Sequence, residues 1–199
     1  MRGVTPRGPQ VSSTLLVWKR TFLTGCSQTR YVSGMARPRT FDEDAVVESA
    51  AELFARRGFD AASIDDLVGH LGVHRHSLYR TFGSKRGLYL RALRATRKQN
   101  LSAIAAADDP FRILCAAVVS EGIGGLDLLL MAAIEQGATD PEIAAEVRGA
   151  FAELDAVTAA LGEATLSTAT LLGLRLRVRA GEDVARIANE FTGRTQTDQ

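Results

Sequence analysis

The sequence predicts an all-α protein on three grounds. Apolar residues recur at helical spacing along nearly the whole chain, no run of alternating apolar and polar residues stands out as a strand, and the helical stretches begin and end on caps and breakers. With 199 residues and 46% apolar content, the chain has room for one or two globular domains. The pattern divides it into a leader over 1–35, a three-helix unit over 36–84, a connecting helix over 85–107 and a second helical domain over 108–199.

The first helix opens near Thr40, which with Glu43 forms the spacing of a capping box, while Asp42, Glu43 and Asp44 put negative charge at the positive end of the helix dipole. Ala50, Leu53 and Phe54 form its buried face, Gly58 ends it, and Phe59 folds back on the same small core. Ser63 and Asp66 repeat the capping-box spacing ahead of a second helix, in which Ile64, Leu67, Val68 and Leu71 share a face. Gly72 supplies the positive φ that a tight turn needs. Val73 resumes the apolar pattern with Leu78 and Phe82, and His74, Arg75, His76, Ser77, Tyr79, Arg80 and Thr81 put donors and one aromatic ring on the remaining surface. Two short helices joined in this way form a helix-turn-helix, whose second helix lies in the DNA major groove with its N-terminal residues at base edges. Arg75 is placed for that role.

From Arg37 to about Leu93 the chain resembles the DNA-binding domain of the TetR (tetracycline-repressor) family of transcriptional regulators. The resemblance rests on linked segments: Ala50 to Phe59 at the end of the opening helix, Ala62-Ser63-Ile64, Leu71-Gly72-Val73, Leu78 to Phe82, and Ser84-Lys85 followed by Leu88. It implies roles residue by residue. Ser63 matches the hydroxyl residue that, with nearby backbone N–H groups, holds a phosphate. Arg75, Ser77 and Tyr79 match positions that contact bases or backbone, and Lys85 matches a lysine that contacts phosphate. His74, His76 and Arg80 complete the DNA-facing set. His74 stands where the family often has a small capping residue, His76 where it often has glycine or alanine, and Thr81 where histidine or tyrosine is common. These departures predict a less well capped recognition helix and leave the operator sequence unread.

Leu88 to about Ala106 continues as the connecting helix, which Asp108-Asp109-Pro110 breaks. Pro110 opens a helix with Phe111, Leu114, Cys115 and Val118 on one face. Leu126 to Glu135 is an apolar helix between Gly122-Ile123-Gly124-Gly125 and Gly137, and Asp140-Pro141-Glu142 starts one that runs to about Leu161. Thr165 to about Ala180 and Glu182 to about Phe191 are two more, separated by Gly181. The resemblance continues here on helix number and length. It implies that the last two helices pair with their copies in a second subunit, with Leu171, Leu172, Leu174, Leu176 and Val178 as candidate contacts. It also implies a ligand pocket, for which Phe111, Leu114, Cys115, Leu130, Met131, Ile134 and Phe151 are candidates beside the plainer role of core packing.

The function so implied is that of a ligand-responsive transcriptional regulator in the cytoplasm, a homodimeric repressor on a palindromic double-stranded DNA operator, released by a small-molecule effector. The alternative is a small-molecule-binding helical protein of the same fold without specific DNA binding. An enzyme is not expected, because no Gly-rich phosphate loop, metal-ligand spacing or nucleophile-base arrangement is present. No cofactor is expected either. His70 and His74 are separated by the helix-breaking Gly72, and His74 and His76 point in different directions, so a metal site is disfavoured against surface histidines. Cys26 and Cys115 make no disulfide framework, and Cys115 reads as a small buried apolar residue before it reads as a sensor.

A net charge of +1 conceals a segregation, with +5 over 1–35, +4 over 36–99 and −8 over 100–199. A basic reader joined to an acidic partner domain meets DNA in one orientation, whereas the plainer reading of the acidic half is solvated surface. The leader surrounds a short apolar patch, Leu15-Leu16-Val17-Trp18, that Lys19 and Arg20 interrupt, which disfavours a secretory signal or a membrane span. Its acid-free, Arg- and Ser-containing composition resembles an organellar transit peptide, although the domain that follows is bacterial in type. Translation from Met35, ahead of the basic Ala36-Arg37-Pro38-Arg39, is the preferred reading over a disordered arm that adds nonspecific DNA affinity.

Overall fold

Asp42 starts the first helix of the computed structural model, which describes residues 42–120, 124–184 and 187. The leader with Cys26 and Met35, Thr40, residues 121–123 and most of the expected helix from Glu182 to Phe191 lie outside the described residues. The cap of α1 (Glu43–Arg57) is Asp42, two residues beyond the expected Thr40, and its carboxylate accepts the N–H groups of Asp44 at 3.0 Å and Ala45 at 3.3 Å. Gly58 closes α1 at φ 83°. The helix-turn-helix consists of α2 (Ile64–Leu71) and α3 (Arg75–Phe82), joined through Gly72 in the left-handed region at φ 64°.

The connecting helix starts as α4 (Lys85–Thr96), passes through a π-helical turn at Arg97–Leu101 and ends as α5 (Ser102–Ala105). The expected single helix is therefore present with one wide turn inside it, which no Pro or Gly at Arg97–Leu101 announced. Asp109 caps α6 (Pro110–Val119), followed by α7 (Gly125–Glu135), and Asp140 caps α8 (Pro141–Thr158), which tightens into a 3-10 turn at Ala159–Leu161. The last fully described helix is α9 (Ala164–Arg179). No strand occurs among the described residues.

The described residues belong to one unit that begins at Arg39. Within it α1 packs against both α4 and α7, while α9 packs against α8 and α6. Phe54, Leu67, Leu78, Leu88 and Tyr89 are fully buried at the reader end, and Leu114, Leu128, Ile143, Leu154 and Leu171 at the other. The Tyr89 ring meets Phe54 edge-on at 4.8 Å between centroids and leans on Phe59 at 5.0 Å, so Phe59 does fold back on the α1 core. Leu171 and Leu174 are core residues, not surface contacts, whereas Leu166 and Leu176 stand 60% and 42% exposed on α9.

A buried ion pair crosses the second half. Asp127, wholly buried near the start of α7, receives the Arg175 guanidinium side-on, at 2.9 Å from Nε and 2.5 Å from Nη2. It also accepts the Gly124 N–H at 2.8 Å. Arg175 spends its remaining donor arm on the carbonyls of Val118 and Ser120 at the end of α6. Arg179, one turn further along α9, lies 3.3 Å from the same carboxylate and donates at 2.8 Å to the carbonyl of Ala55 near the end of α1. Taking one partner from such a pair leaves a buried charge exposed to its full desolvation cost, on the order of 3–5 kcal/mol. Arg175→Met is therefore expected to lower unfolding free energy by about that amount, with the Asp127→Leu, Arg175→Met double variant recovering a large part of it. Urea denaturation checks this, and an unchanged midpoint in the single variant contradicts it.

Candidate nucleic-acid interface

The reader is built from its caps. Ser63 Oγ accepts the Asp66 N–H at 3.0 Å, and the Asp66 carboxylate in turn accepts the Ser63 N–H at 3.0 Å and the Ser63 hydroxyl at 2.6 Å, so the predicted capping box is complete. In this structure the Ser63 hydroxyl proton is given to Asp66 and one Oγ lone pair takes the Asp66 N–H, so holding a phosphate oxygen through the hydroxyl requires that proton to turn away from Asp66. Arg57 reaches Asp66 as well, at 2.5 Å. Together, first the Ser63 hydroxyl, then its N–H and then Arg57, these contacts hold the Asp66 carboxyl down at about 2.

His74 caps α3 with extended backbone but no side-chain hydrogen bond, the weak cap expected from the departure there. His74, Arg75, His76, Tyr79 and Arg80 are exposed, Ser77 is half-buried, and Leu78 beneath them is fully buried. Arg75, the first residue of α3, forms an exposed ion pair with Asp65 of α2 at 2.5 Å. Exposed pairs of this kind are worth at most about 1 kcal/mol, so Asp65 restrains Arg75 without withholding it from a base or phosphate.

Lys85 also has partners within the chain. Its ammonium donates to the carbonyls of Phe59 at 2.8 Å and Ala62 at 3.0 Å, and it lies 4.2 Å from the Phe59 ring centroid. Two of its three N–H groups hold the α1–α2 loop, leaving one for a phosphate. The same loop is gripped from the far side, where Glu135 at the end of α7 accepts the Phe59 N–H at 2.5 Å and Gln136 donates to Asp60 at 3.2 Å. Gly58 is favoured here by its positive φ, and a Cβ would also push the Glu135 carboxylate away from its place beside the loop. Glu135 was not among the residues singled out from sequence, since a contact across 76 residues leaves no local signal.

The connecting helix faces α8 through ion pairs. Arg86 holds Asp140 and Glu142, Arg94 holds Glu142 and Glu146, and Arg97 holds Glu146 and Glu153, at 2.5–3.0 Å. Arg86 draws Asp140 down to about 2, and the arginines lower Glu142 and Glu146 too. Part of the charge segregation in the sequence is therefore neutralised within the chain.

The seven candidate pocket residues differ widely in burial. Leu114, Cys115 and Leu130 are core, Phe111, Met131 and Phe151 are half-buried, and Ile134 is 66% exposed on the outside of α7. Burial pushes the Cys115 thiol up to about 11, with Asp109 adding to the effect, which keeps it protonated at neutral pH. A cleft of about 330 Å³ lies elsewhere, between Leu101, Ser102 and Ala105 of the connecting helix, Pro110, and Glu153, Ala156 and Val157 of α8. None of the seven lines it. The signal that pointed to it was the acidic face of α8, which sequence reading treated as net charge and not as a surface turned toward Arg86, Arg94 and Arg97. Among the described residues no group of three or more His, Cys, Asp or Glu side chains is placed to hold a metal, and no single helix is long and apolar enough to cross a membrane.

Residues 46–92 match the model of bacterial regulatory proteins of the tetR family. The chain is 33% identical over 121 residues to the uncharacterized HTH-type transcriptional regulator YezE of Bacillus subtilis, covering 55% of this chain and 62% of that relative. It is 44% identical over 57 residues to the HTH-type transcriptional repressor BdcR of Escherichia coli, covering 29% of each. The matched regions thus span less than two thirds of these relatives' lengths. In structure the fold is similar to that of the TetR family regulator CifR, solved as a cysteine mutant complexed with double-strand operator DNA, with a TM-score of 0.59 at 23% identity over 81% of this chain and 98% of that one. It is also similar to a regulator from Saccharomonospora viridis solved in complex with choline, with a TM-score of 0.58 at 20% identity over 76% and 93%.

Two outcomes follow from this geometry. Lys85→Met is expected to cost about 1–2 kcal/mol of stability, because two loop carbonyls lose a charged donor; a melting temperature equal to wild type contradicts the clamp. Asp66 has a depressed pKa, so its contribution is present above 3.8 and is lost as pH falls toward about 2. In Ser63→Ala, the Asp66 carboxyl is expected to titrate closer to 3.8, measured by carboxyl-carbon NMR, with the acid loss of α2 moving to higher pH.

Proposed function

We propose that this chain, whose residues 46–92 match the tetR family of bacterial regulatory proteins, is a DNA-binding transcriptional regulator, a repressor that holds a palindromic operator as a homodimer and leaves it when a small molecule binds. It acts by binding and not by catalysis, and in the cytoplasm, where its DNA lies. The observation that carries this is the exposed face of α3, where Arg75, His76, Tyr79 and Arg80 stand clear of a core that fixes Leu78 beneath them. Arg75, at the helix start, is the base-reading candidate; Arg80, which has no ion pair among the described residues, and Ser77 with Tyr79 are candidates for backbone and edge contacts.

A second copy of the chain has a surface to meet. Leu166 and Leu176 lie exposed on the outer face of α9, with Ala169 and Gly173 exposed and half-buried between them, so that the helix presents an apolar, low-relief stripe. Two readers related by a two-fold axis require half-sites about one helical turn or a multiple apart. Effector responsiveness is supported by the choline complex of the similar Saccharomonospora viridis regulator and by a cleft of small-molecule size in this chain.

The test is salt-dependent binding to the DNA flanking the protein's own coding region. Arg75→Ala is expected to lose about 1–3 kcal/mol on the specific site while sparing random DNA, whereas Arg80→Ala weakens all sequences alike and lowers the salt slope by about one. Fluorescence anisotropy across a salt series reads both. A folded dimer that forms no specific complex at moderate salt defeats the regulator reading.

A further inference from the structure

We infer that the cleft between the connecting helix and α8 is a site for a small apolar amine, and that the π-helical turn Arg97–Leu101 carries its occupancy to the reader. The inference deepens the proposed regulation, and its ligand half stands whether or not the chain binds DNA.

The ligand class follows from charge. Among the described residues that line the cleft, the Glu153 carboxylate is the one charged group, and none is a lysine or arginine. Glu153 is also the end of the ion-pair ladder, in which the three guanidiniums of Arg86, Arg94 and Arg97 face the four carboxylates of Asp140, Glu142, Glu146 and Glu153. One negative charge is in surplus. At the far end, Asp140 is further satisfied by the backbone N–H groups of Glu142 and Ile143 as the cap of α8, whereas Glu153 has Arg97 alone in the ladder. The surplus therefore falls at the cleft, where a cation is favoured and an anion opposed. The rest of the lining is apolar or small, with Ser102 as the one hydroxyl, and its volume of about 330 Å³ suits a compact ring or short chain.

Transmission follows from how the π-turn is tied. Leu101 at its end and Ser102 just after it line the cleft, and Arg97 at its start holds Glu153 at 2.8 Å, so both ends of the turn meet the same site. An ammonium group on Glu153 competes with Arg97, which is 31% exposed and keeps Glu146 as its second partner, so the exchange is not the breaking of a buried pair. A π-turn contains one residue more than an α-turn, and moving that extra residue along the helix re-aims the side chains it passes by about 100°. Downstream of such a movement lies α4, whose Lys85 holds the loop that leads into the Ser63 cap of α2.

The test uses the full-length protein with three probes of matched size, benzylamine, benzyl alcohol and benzoate, followed by calorimetry. Benzylamine is expected to bind about tenfold or more tighter than benzoate. Glu153→Gln should erase its advantage over benzyl alcohol while the melting temperature shows the variant folded, and Ala156→Trp, which fills the cleft, should weaken both neutral and cationic probes. Benzoate binding as tightly as benzylamine, an amine preference that survives Glu153→Gln, or no saturable binding of benzylamine overturns the site. In a second arm, saturating benzylamine is expected to weaken the complex with the flanking DNA in wild type but not in Glu153→Gln. An unaltered complex overturns the transmission, while a protein that binds benzylamine through Glu153 yet binds no DNA upholds the site and defeats the regulator reading alone.

Discussion

The buried carboxylate of Asp127 is the constraint on which the rest of the helical body depends. Once it is out of water, its charge must be met inside the protein, and Arg175 meets it side-on while the Gly124 N–H takes a further lone pair. Arg175 must then satisfy its own remaining donors, which fixes the end of α6 through Val118 and Ser120. Arg179 extends the arrangement to Ala55, so the orientation of α9 is tied to the end of the reader's first helix. An apolar core tolerates sliding in a way that such a directional network does not.

The reader is held at the loop between α1 and α2 from two sides. Lys85 takes the loop's carbonyls from the connecting helix, and Glu135 takes the Phe59 N–H from α7. The Ser63 capping box begins immediately after, so the position of α2, and with it α3, follows from contacts made outside the helix-turn-helix. That gives the helical body a lever on the exposed face of α3 through this loop.

The charge distribution has two roles. Counted along the chain, a basic half precedes an acidic one, and the expected consequence was orientation on DNA. In three dimensions the acidic face of α8 is largely engaged by Arg86, Arg94 and Arg97, which leaves Arg75 and Arg80 as the basic groups on the reading helix. The pairs are exposed or part-buried and individually weak, but they align two helices along their length and end at the cleft.

The helices, their order and most of their limits were legible in the sequence, because caps, breakers and apolar spacing act between residues a turn or two apart: Ser63 with Asp66, Gly72, Asp109-Pro110 and Asp140-Pro141 all stand where they were expected. The exposed face of α3 was legible for the same reason, since leaving Arg75, Tyr79 and Arg80 in water needs only the burial of Leu78. The cap falls on Asp42, whose carboxylate accepts the first free N–H groups of α1, and the π-turn at Arg97–Leu101 had no local breaker to announce it. Leu171 and Ile134 show the wider limit. Both lie at helical spacing among apolar neighbours, yet one is core and the other open to solvent. Only the tertiary structure decided which face each helix turned inward, that Lys85 clamps a loop, that Asp127 is buried with Arg175 and where the cleft lies, because those outcomes depend on charges and surfaces brought together from some 23 to 76 residues away.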